Sequence, residues 1–471
     1  MAEELHVFTA GEVAEVTAGK LTGSPETKLS AVVTDTRKIV PGSLFVALKG
    51  EKFDGADYAR QAVENGAAAV LVGADCPAEK TEGLPVVIKA ENTLAAYQAI
   101  ARAYRRCFAG PVLAVTGSNG KTTTKDLTAC VLNSTLNTLK TEANFNNEIG
   151  LPLTLLQLEA DHDAAVVEMG MRGLGQIAQL ASVAEPVIGI VTNVGETHME
   201  LLGSLENIAK AKGELIEALP SNGIAVLNGD NEFVAAMAEK AKPGVKIITY
   251  GIENEAAVRA LPESIESEGF LTKFSVVFTG DEKAYPVELP LAGRHNVYNA
   301  LAALAAGHAL HLDPIEMIDA LKDFKATGQR FECIEKTIKW VGTLKIINDA
   351  YNASPMSMEA ALDTLAETAK GSRRIAVLGD MLELGDISVA AHKKVGQKAA
   401  ETGVDYIITR GEMGYFVAVG AVMAGLEADK VFRAPDHQAA AAKLKEICQD
   451  GDTILFKGSH GMQMDKIIDM F

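Results

Sequence analysis

The sequence predicts an α/β protein with more than one domain and mainly parallel sheets. Three observations predict it. An apolar run, Val112 to Val115, feeds a glycine-flanked turn and then a segment with helical spacing of Leu127, Val131 and Leu132. Strands and helices alternate through the last third of the chain, the pattern of a doubly wound parallel sheet. The first 110 residues form a smaller α/β unit that ends at the breaker Ala109-Gly110-Pro111. At 471 residues the chain is too long for one compact core.

Composition narrows the function classes. Hydrophobic content of 48% with 23% charged residues is that of a soluble globular protein. A net charge of −18 argues against a nucleic-acid-binding surface, so any polyanionic ligand must be held by local positive sites or by metal. No apolar run approaches the roughly 20 residues of a membrane span. The acidic start, Met1-Ala-Glu-Glu-Leu5, lacks the basic and apolar regions of a secretion signal. Cys76, Cys107, Cys130, Cys333 and Cys448 are scattered and odd in number, which predicts free thiols and a cytoplasmic protein.

In the first segment, strands are expected at 29–33, 43–48, 67–72 and 85–88, and helices at 58–64 and 90–108. Two polar loops separate them. One holds Thr34-Asp35-Thr36-Arg37-Lys38, the other Lys49 and Lys52. Arg37 after Asp35 suits a diphosphate or a carboxylate, or equally a surface salt bridge.

The central segment opens with the phosphate-loop pattern. Gly117-Ser118-Asn119-Gly120 is followed by Lys121-Thr122-Thr123 at a helix start, the layout that cradles phosphate on backbone N–H groups and a helix N-terminus. Lys121 would neutralise the β- and γ-phosphates, and the Thr122 hydroxyl would ligate Mg²⁺. The spacing departs from the full motif, which needs glycine at Val115. Glu168 ends an apolar strand at its ligand-facing end, a natural magnesium partner for Thr122. His198, just beyond strand 187–191, is a candidate metal or phosphate contact. Asn144-Phe-Asn-Asn147 reads as a pocket lining or a helix cap. Asn296 and Asn299 lie three apart, on one helix face, where paired amides suit the edge of adenine, although Asn296 also reads as an N-cap.

The last segment begins after a hinge at Gly328-Gln329-Arg330-Phe331. Strands are expected at 344–348, 374–379, 405–409 and 452–456. Asp349 and Lys457 then fall at strand C-ends, the functional edge of such sheets; Asp349 suits a ribose and Arg330 a phosphate.

These stretches together resemble the Mur ligases, ATP-dependent amide-bond-forming enzymes. The resemblance rests on Thr116-Gly-Ser-Asn-Gly-Lys-Thr-Thr123, Glu168-Met-Gly170, Asn193 with His198, His295-Asn-Val-Tyr-Asn299, Asp349-Ala-Tyr-Asn-Ala-Ser-Pro355 and Lys457-Gly-Ser459. It implies three domains: 1–110 for a UDP-sugar peptide, 111–325 for ATP, and 326–471, a Rossmann-like domain that closes over both. Asp35-Thr-Arg37, Phe45 to Gly55, Asn144 to Gly150 and Val377-Leu-Gly-Asp-Met-Leu-Glu-Leu-Gly385 are similar to the members that join D-alanyl-D-alanine to UDP-N-acetylmuramoyl-tripeptide. The Asp-Asn-Pro triplet expected of the member that adds the third residue is absent. His460 stands where this subgroup usually carries arginine.

The resemblance also implies roles. Gly117 to Thr123, Asn296, Asn299, Arg330 and Asp349 would bind nucleotide. Thr122, Glu168, His198 and Lys212 would hold magnesium, Lys212 after carbamylation, with Lys210 as the competing register. Thr34 to Arg37, Lys49, Asn144, Asn147, Tyr351, Asn352, Lys457 and Ser459 would contact substrates. A monomer is the default expectation. Other amide ligases of this fold, or a nucleotide-gated binding protein, are the competing readings.

Overall fold

The computed structural model describes residues 5–50, 53–281, 283–326, 328 and 330–471. Lys52 and Gln329, named above in a loop and at the hinge, lie outside the described residues. The chain divides into two compact units. One comprises 1–114, 136–170 and 177–187, and the other 115–135, 171–176 and 188–471.

The first unit holds a five-stranded sheet in the order Lys20–Thr22, Val87–Ala90, Ala69–Gly73, Leu44–Val46, Val32–Val33. All its pairings are parallel except that of the first strand. Ala69, Val70, Leu71 and Val72 are fully buried, as a continuous apolar run between two covered faces requires. Helix Thr93–Cys107 starts where the Asn92 side chain accepts from Ala95 N–H. It buries Tyr97, Ile100, Ala101 and Tyr104. Beyond it, Thr138–Lys140 pairs in parallel with Ala164–Glu168.

In the second unit, Ile188–Val191, Ile224–Asn228, Lys246–Gly251 and Val258–Ala260 form a parallel run. Antiparallel strands Leu271–Phe278 and Ala284–Leu289 extend it. The alanine-rich helix Arg294–Ala309 is buried along most of its length. Small side chains let it lie close to helix Lys121–Leu132, and an added Cβ at Gly307 would come within 2.9 Å of Val131.

The last sheet runs Glu332–Ile338, Gly342–Asp349, Thr453–Lys457, Arg374–Gly379, Tyr406–Arg410, Val431–Ala434. Its five later strands are parallel neighbours. The first is an antiparallel edge that the sequence reading did not include, paired Glu332↔Asn348 through Ile338↔Gly342. Helices Pro355–Thr368, Ser388–Glu401, Gly414–Met423 and His437–Ile447 alternate with these strands.

Candidate active site

The phosphate-loop pattern becomes a strand, a turn and a helix. Strand Val112–Thr116 is wholly buried. Gly117 has φ +151, and a Cβ there would lie 1.8 Å from the Thr192 hydroxyl. Gly120 has φ +77, and its Cβ would lie 2.4 Å from Asn299 Oδ1. Both turns therefore require glycine. Helix Lys121–Leu132 opens directly after Gly120, with no side chain capping it. An uncapped helix of this length offers its first-turn N–H groups and partial positive charge to an anion.

The loop is braced more firmly than its sequence suggests. Ser118 N–H donates to the Asn193 carbonyl at 2.8 Å, and Asn119 N–H to Asn193 Oδ1 at 2.9 Å. The Thr192 hydroxyl and the Asn193 amide both donate to the Asn119 carbonyl. Two loop amides are thus committed within the protein. Lys121 Nζ folds over the turn and donates to the carbonyls of Gly117 at 2.9 Å and Ser118 at 3.1 Å. Thr122 is buried and Thr123 half-buried.

Asn296 and Asn299 share a face, as their spacing requires. Asn299 Nδ2 donates to Asn296 Oδ1 at 3.0 Å, and Asn296 Nδ2 donates to the Ala292 carbonyl. Asn299 Oδ1 accepts from the Thr124 hydroxyl at 3.1 Å. Their amides are committed to each other and to the underside of the loop helix.

Lys212 and Lys210 sit on opposite sides of helix Leu205–Ala218, Lys212 buried and Lys210 exposed. Burial, with the Lys121 charge nearby, holds the Lys212 amine well below the ordinary lysine range. His198 has φ +56 and precedes the short helix Met199–Leu202. Its Nδ1 lies 2.6 Å from Glu383 Oε2. Burial lowers its affinity for a second proton, against the opposing pull of Glu383.

The C-ends of Gly342–Asp349 and Thr453–Lys457 are in register, Asp349 opposite Lys457. Lys457 Nζ donates to the Asp349 carboxylate and, at 3.0 Å, to the Asn352 carbonyl. Burial raises the Asp349 carboxyl above the usual range while Lys457 opposes the rise. The Arg330 guanidinium lies 3.8 Å from the centre of the Tyr351 ring. The His460 ring lies 5.6 Å from that same ring. Ser459 is buried, and its hydroxyl accepts from Leu382 N–H. Asn352 is exposed. The loop and this corner touch: the Ser354 hydroxyl donates to Asn119 Oδ1 at 2.8 Å.

Other expected residues lie in the first unit. Glu168 is buried at its strand end, and its Oε1 accepts from Asn146 Nδ2 at 2.8 Å. Asn144 and Asn147 are exposed. Asn147 Oδ1 accepts from Gly150 N–H and Ile149 N–H at the start of the next helix. Asn146 is therefore the member of that stretch which reaches an acid. Asp35 accepts from Arg37 N–H and from its guanidinium, 2.6 Å at the shortest. These bonds hold the Asp35 carboxyl down at about 2. The Arg37 side chain stays 87% exposed, so this is a surface ion pair with its outer edge open. Thr34 and Thr36 are half-buried. Lys49 pairs loosely with Asp75 at 3.6 Å. All five cysteines are thiols outside any disulfide. Among the described residues no helix is long and apolar enough to cross a membrane.

Comparison with known proteins agrees with this layout. The model described as the Mur ligase middle domain matches residues 115–307. The Mur ligase, glutamate ligase domain matches 329–460, and the Mur ligase family, catalytic domain, 28–105. The UDP-N-acetylmuramoyl-tripeptide–D-alanyl-D-alanine ligase of Bacillus subtilis is 39% identical, covering 98% of this chain and 97% of its own. A crystal structure of MurF from Acinetobacter baumannii shares the fold with a TM-score of 0.88 at 29% identity, over 98% of each chain. MurF ligase from Thermotoga maritima in complex with ADP gives 0.81 at 26% identity, over 94% of this chain and 96% of that one. The chain belongs to the Mur ligase family and shares its three-domain α/β architecture.

Proposed function

We infer that this chain is the ATP-dependent ligase that joins D-alanyl-D-alanine to UDP-N-acetylmuramoyl-tripeptide in peptidoglycan precursor synthesis. One observation carries the reading at the level of chemistry. The glycine–lysine–helix unit that suits a triphosphate touches, through Asn119 and Ser354, the strand-end corner built by Asp349 and Lys457. Full-length similarity to ligases of this specificity supplies the substrates.

The tripeptide's terminal carboxylate attacks the γ-phosphate of ATP, giving an acyl phosphate and ADP. The dipeptide amine then attacks the acyl carbon and phosphate leaves. Anion must meet anion in a protein of net charge −18, so local cations decide the rate. Lys121 swings from its own loop carbonyls onto the phosphates. The helix start at Gly120 binds phosphate oxygens. Asn299, braced by Asn296, holds the Thr124 hydroxyl beneath the loop, and the pair is assigned to the adenine. Arg330 and Asp349 reach the nucleotide from the last segment.

The threonine hydroxyl and the carboxylate are hard oxygen donors that suit Mg²⁺, and the imidazole is a borderline nitrogen donor beside them. Thr122, Glu168 and His198 are the proposed ligands. Bound magnesium would neutralise charge developing on the phosphates. A buried, neutral Lys212 amine is the form that reacts with carbon dioxide, and the carbamate would supply a further anionic oxygen. Thr34 to Arg37 and Lys49 are assigned to the nucleotide-sugar, and Asn144 and Asn147 to its peptide. Tyr351, Asn352, Lys457 and Ser459 are assigned to the incoming dipeptide. We place the domain boundaries at 110 and 325.

The test is Lys121→Ala. The variant should fold with an unchanged melting temperature and form no amide product from ATP and the two substrates, measured by mass spectrometry. Near-normal product would mean that the loop does not act on the triphosphate.

A further inference from the structure

The segment Gly379-Asp-Met-Leu-Glu-Leu-Gly385 has no part in the roles assigned above, yet it is built with care. It leaves the C-end of strand Arg374–Gly379. Met381 N–H donates to His392 Nε2 at 2.9 Å, and Leu382 N–H to the Ser459 hydroxyl at 2.9 Å. Asp380 accepts from Gly414 N–H and Met413 N–H, and its carbonyl accepts from Ser459 N–H at 3.0 Å. Held on both sides, the loop turns at Glu383 with φ +61 and at Gly385 with φ +55. A left-handed glutamate is costly and persists only where its surroundings enforce it.

That turn aims Glu383 at His198. Its Oε2 lies 2.6 Å from His198 Nδ1, and its Oε1 lies 3.5 Å from the Arg172 guanidinium. Its carbonyl accepts from Glu200 N–H at 3.2 Å, in the first turn of the helix that follows His198. Gly385 passes so close that a Cβ there would come within 3.3 Å of Glu200 Cα. His198 is itself left-handed, at φ +56. Two non-glycine residues in strained conformations, from segments 185 residues apart, meet side chain to side chain.

We propose that Glu383 is a positioning residue for His198: its carboxylate accepts a hydrogen bond from Nδ1–H, which keeps the proton on Nδ1 and leaves the Nε2 lone pair as the atom offered to a ligand. The chemistry is direct. A carboxylate paired with arginine accepts and does not donate, so the ring nitrogen bonded to it carries the hydrogen. A neutral ring then has its only lone pair on Nε2. Metal-binding histidines are commonly oriented in this way by a carboxylate on the far nitrogen. Here the orienting group comes from the last segment while the histidine belongs to the central one. The histidine is therefore set for its ligand only when the Glu383 loop is in place. This rests on the reading of His198 as a magnesium contact, and the experiment separates the two.

The full-length protein is labelled with ¹⁵N-histidine, with His198→Ala to assign the ring signals, and compared with Glu383→Ala and Glu383→Gln. Mn²⁺ affinity is measured by electron paramagnetic resonance in the presence of a non-hydrolysable ATP analogue. In the unmodified protein His198 should carry its proton on Nδ1. Glu383→Ala should shift the ring toward the Nε2-protonated form and weaken Mn²⁺ binding about tenfold or more. Glu383→Gln, which keeps the volume, decides the matter if the alanine variant does not fold; its amide oxygen can still accept from Nδ1–H, but with the negative charge gone it should weaken Mn²⁺ binding. High magnesium should restore ligation by both variants, with KM for the nucleotide-sugar peptide unchanged. A tautomer and a Mn²⁺ affinity that stay as in the unmodified protein in the folded variants would overturn the proposal. If His198→Ala alone weakens Mn²⁺ binding, the magnesium reading stands without Glu383. If His198→Ala leaves it unchanged while Glu383→Ala alters the tautomer, Glu383 positions the ring and the magnesium reading fails.

Discussion

Lys212 shows how one side chain can be ready for chemistry at a cost in stability. Its folded amine binds a proton less tightly than the unfolded chain's, so at neutral pH protonation favours unfolding. That cost shrinks as pH rises toward the ordinary lysine value of about 10.4. Lys212→Met, compared with the parent in carbon-dioxide-free buffer, should raise the melting temperature at pH 7 and flatten its rise between pH 7 and 9, while abolishing ligation. His295 behaves in the opposite pH window. Its Nε2 is buried without a hydrogen-bond partner, and burial holds the ring at about 3. Above about pH 6.5 folded and unfolded rings are both neutral and nothing is lost. As pH falls from there toward 3, the unfolded chain gains the proton and stability drops by up to about 1.4 kcal/mol per pH unit. His295→Phe should remove that part of the acid sensitivity in urea unfolding measured between pH 6.5 and 4; an unchanged slope would mean the ring is solvated. Lys212 came from the family resemblance, with Lys210 as the competing register; in the fold Ile208, Ala211, Lys212 and Leu215 share one buried stripe, which is why Lys212 is buried and Lys210 exposed. The partner of His198 was not legible in the chain, because Glu383 arrives from 185 residues away.

At the scale of elements, the phosphate loop is shaped from beneath. Gly120 needs φ +77 and sits against Asn299 Oδ1, which in turn holds the Thr124 hydroxyl. Gly120→Ala adds a left-handed alanine, about 1–2 kcal/mol, and a clash at 2.4 Å that Asn299 must relieve by moving. The variant should unfold at lower urea and show a raised KM for ATP while KM for D-alanyl-D-alanine is unchanged. Regular elements were well read from periodicity: Arg374–Gly379 falls where the sequence places it, and Glu168 ends the apolar strand Ala164–Glu168. The antiparallel edge Glu332–Ile338 was missed for a physical reason. Its Glu-Cys-Ile-Glu-Lys-Thr-Ile mixes charges with few apolar residues, and a Lys339-Trp340-Val341 connection lacks the usual glycine or asparagine turn signal. The Asn144–Asn147 stretch was recognised, but which amide points inward depends on the helix that Asn147 caps.

At the scale of the molecule, the sequence carries the phosphate loop, the strand-end acid and the strand-end positions of Asp349 and Lys457, because each stands at a fixed offset from a strand or helix terminus; the ion pair between the last two emerges only in the fold. Contacts such as Asn119 to Ser354 exist only once the chain is folded. They link the loop to the last segment and make a simple demand on turnover. The acyl phosphate must be kept from water, so cleavage of ATP should wait for both substrates. The most direct measurement supplies ATP, UDP-N-acetylmuramoyl-tripeptide and D-alanyl-D-alanine together and singly, and follows ADP by coupled assay and products by mass spectrometry. The account predicts one amide product and one ADP per turnover with all three present, and little ADP when either peptide substrate is withheld. Steady ADP release with neither, or no amide product with both, would contradict it.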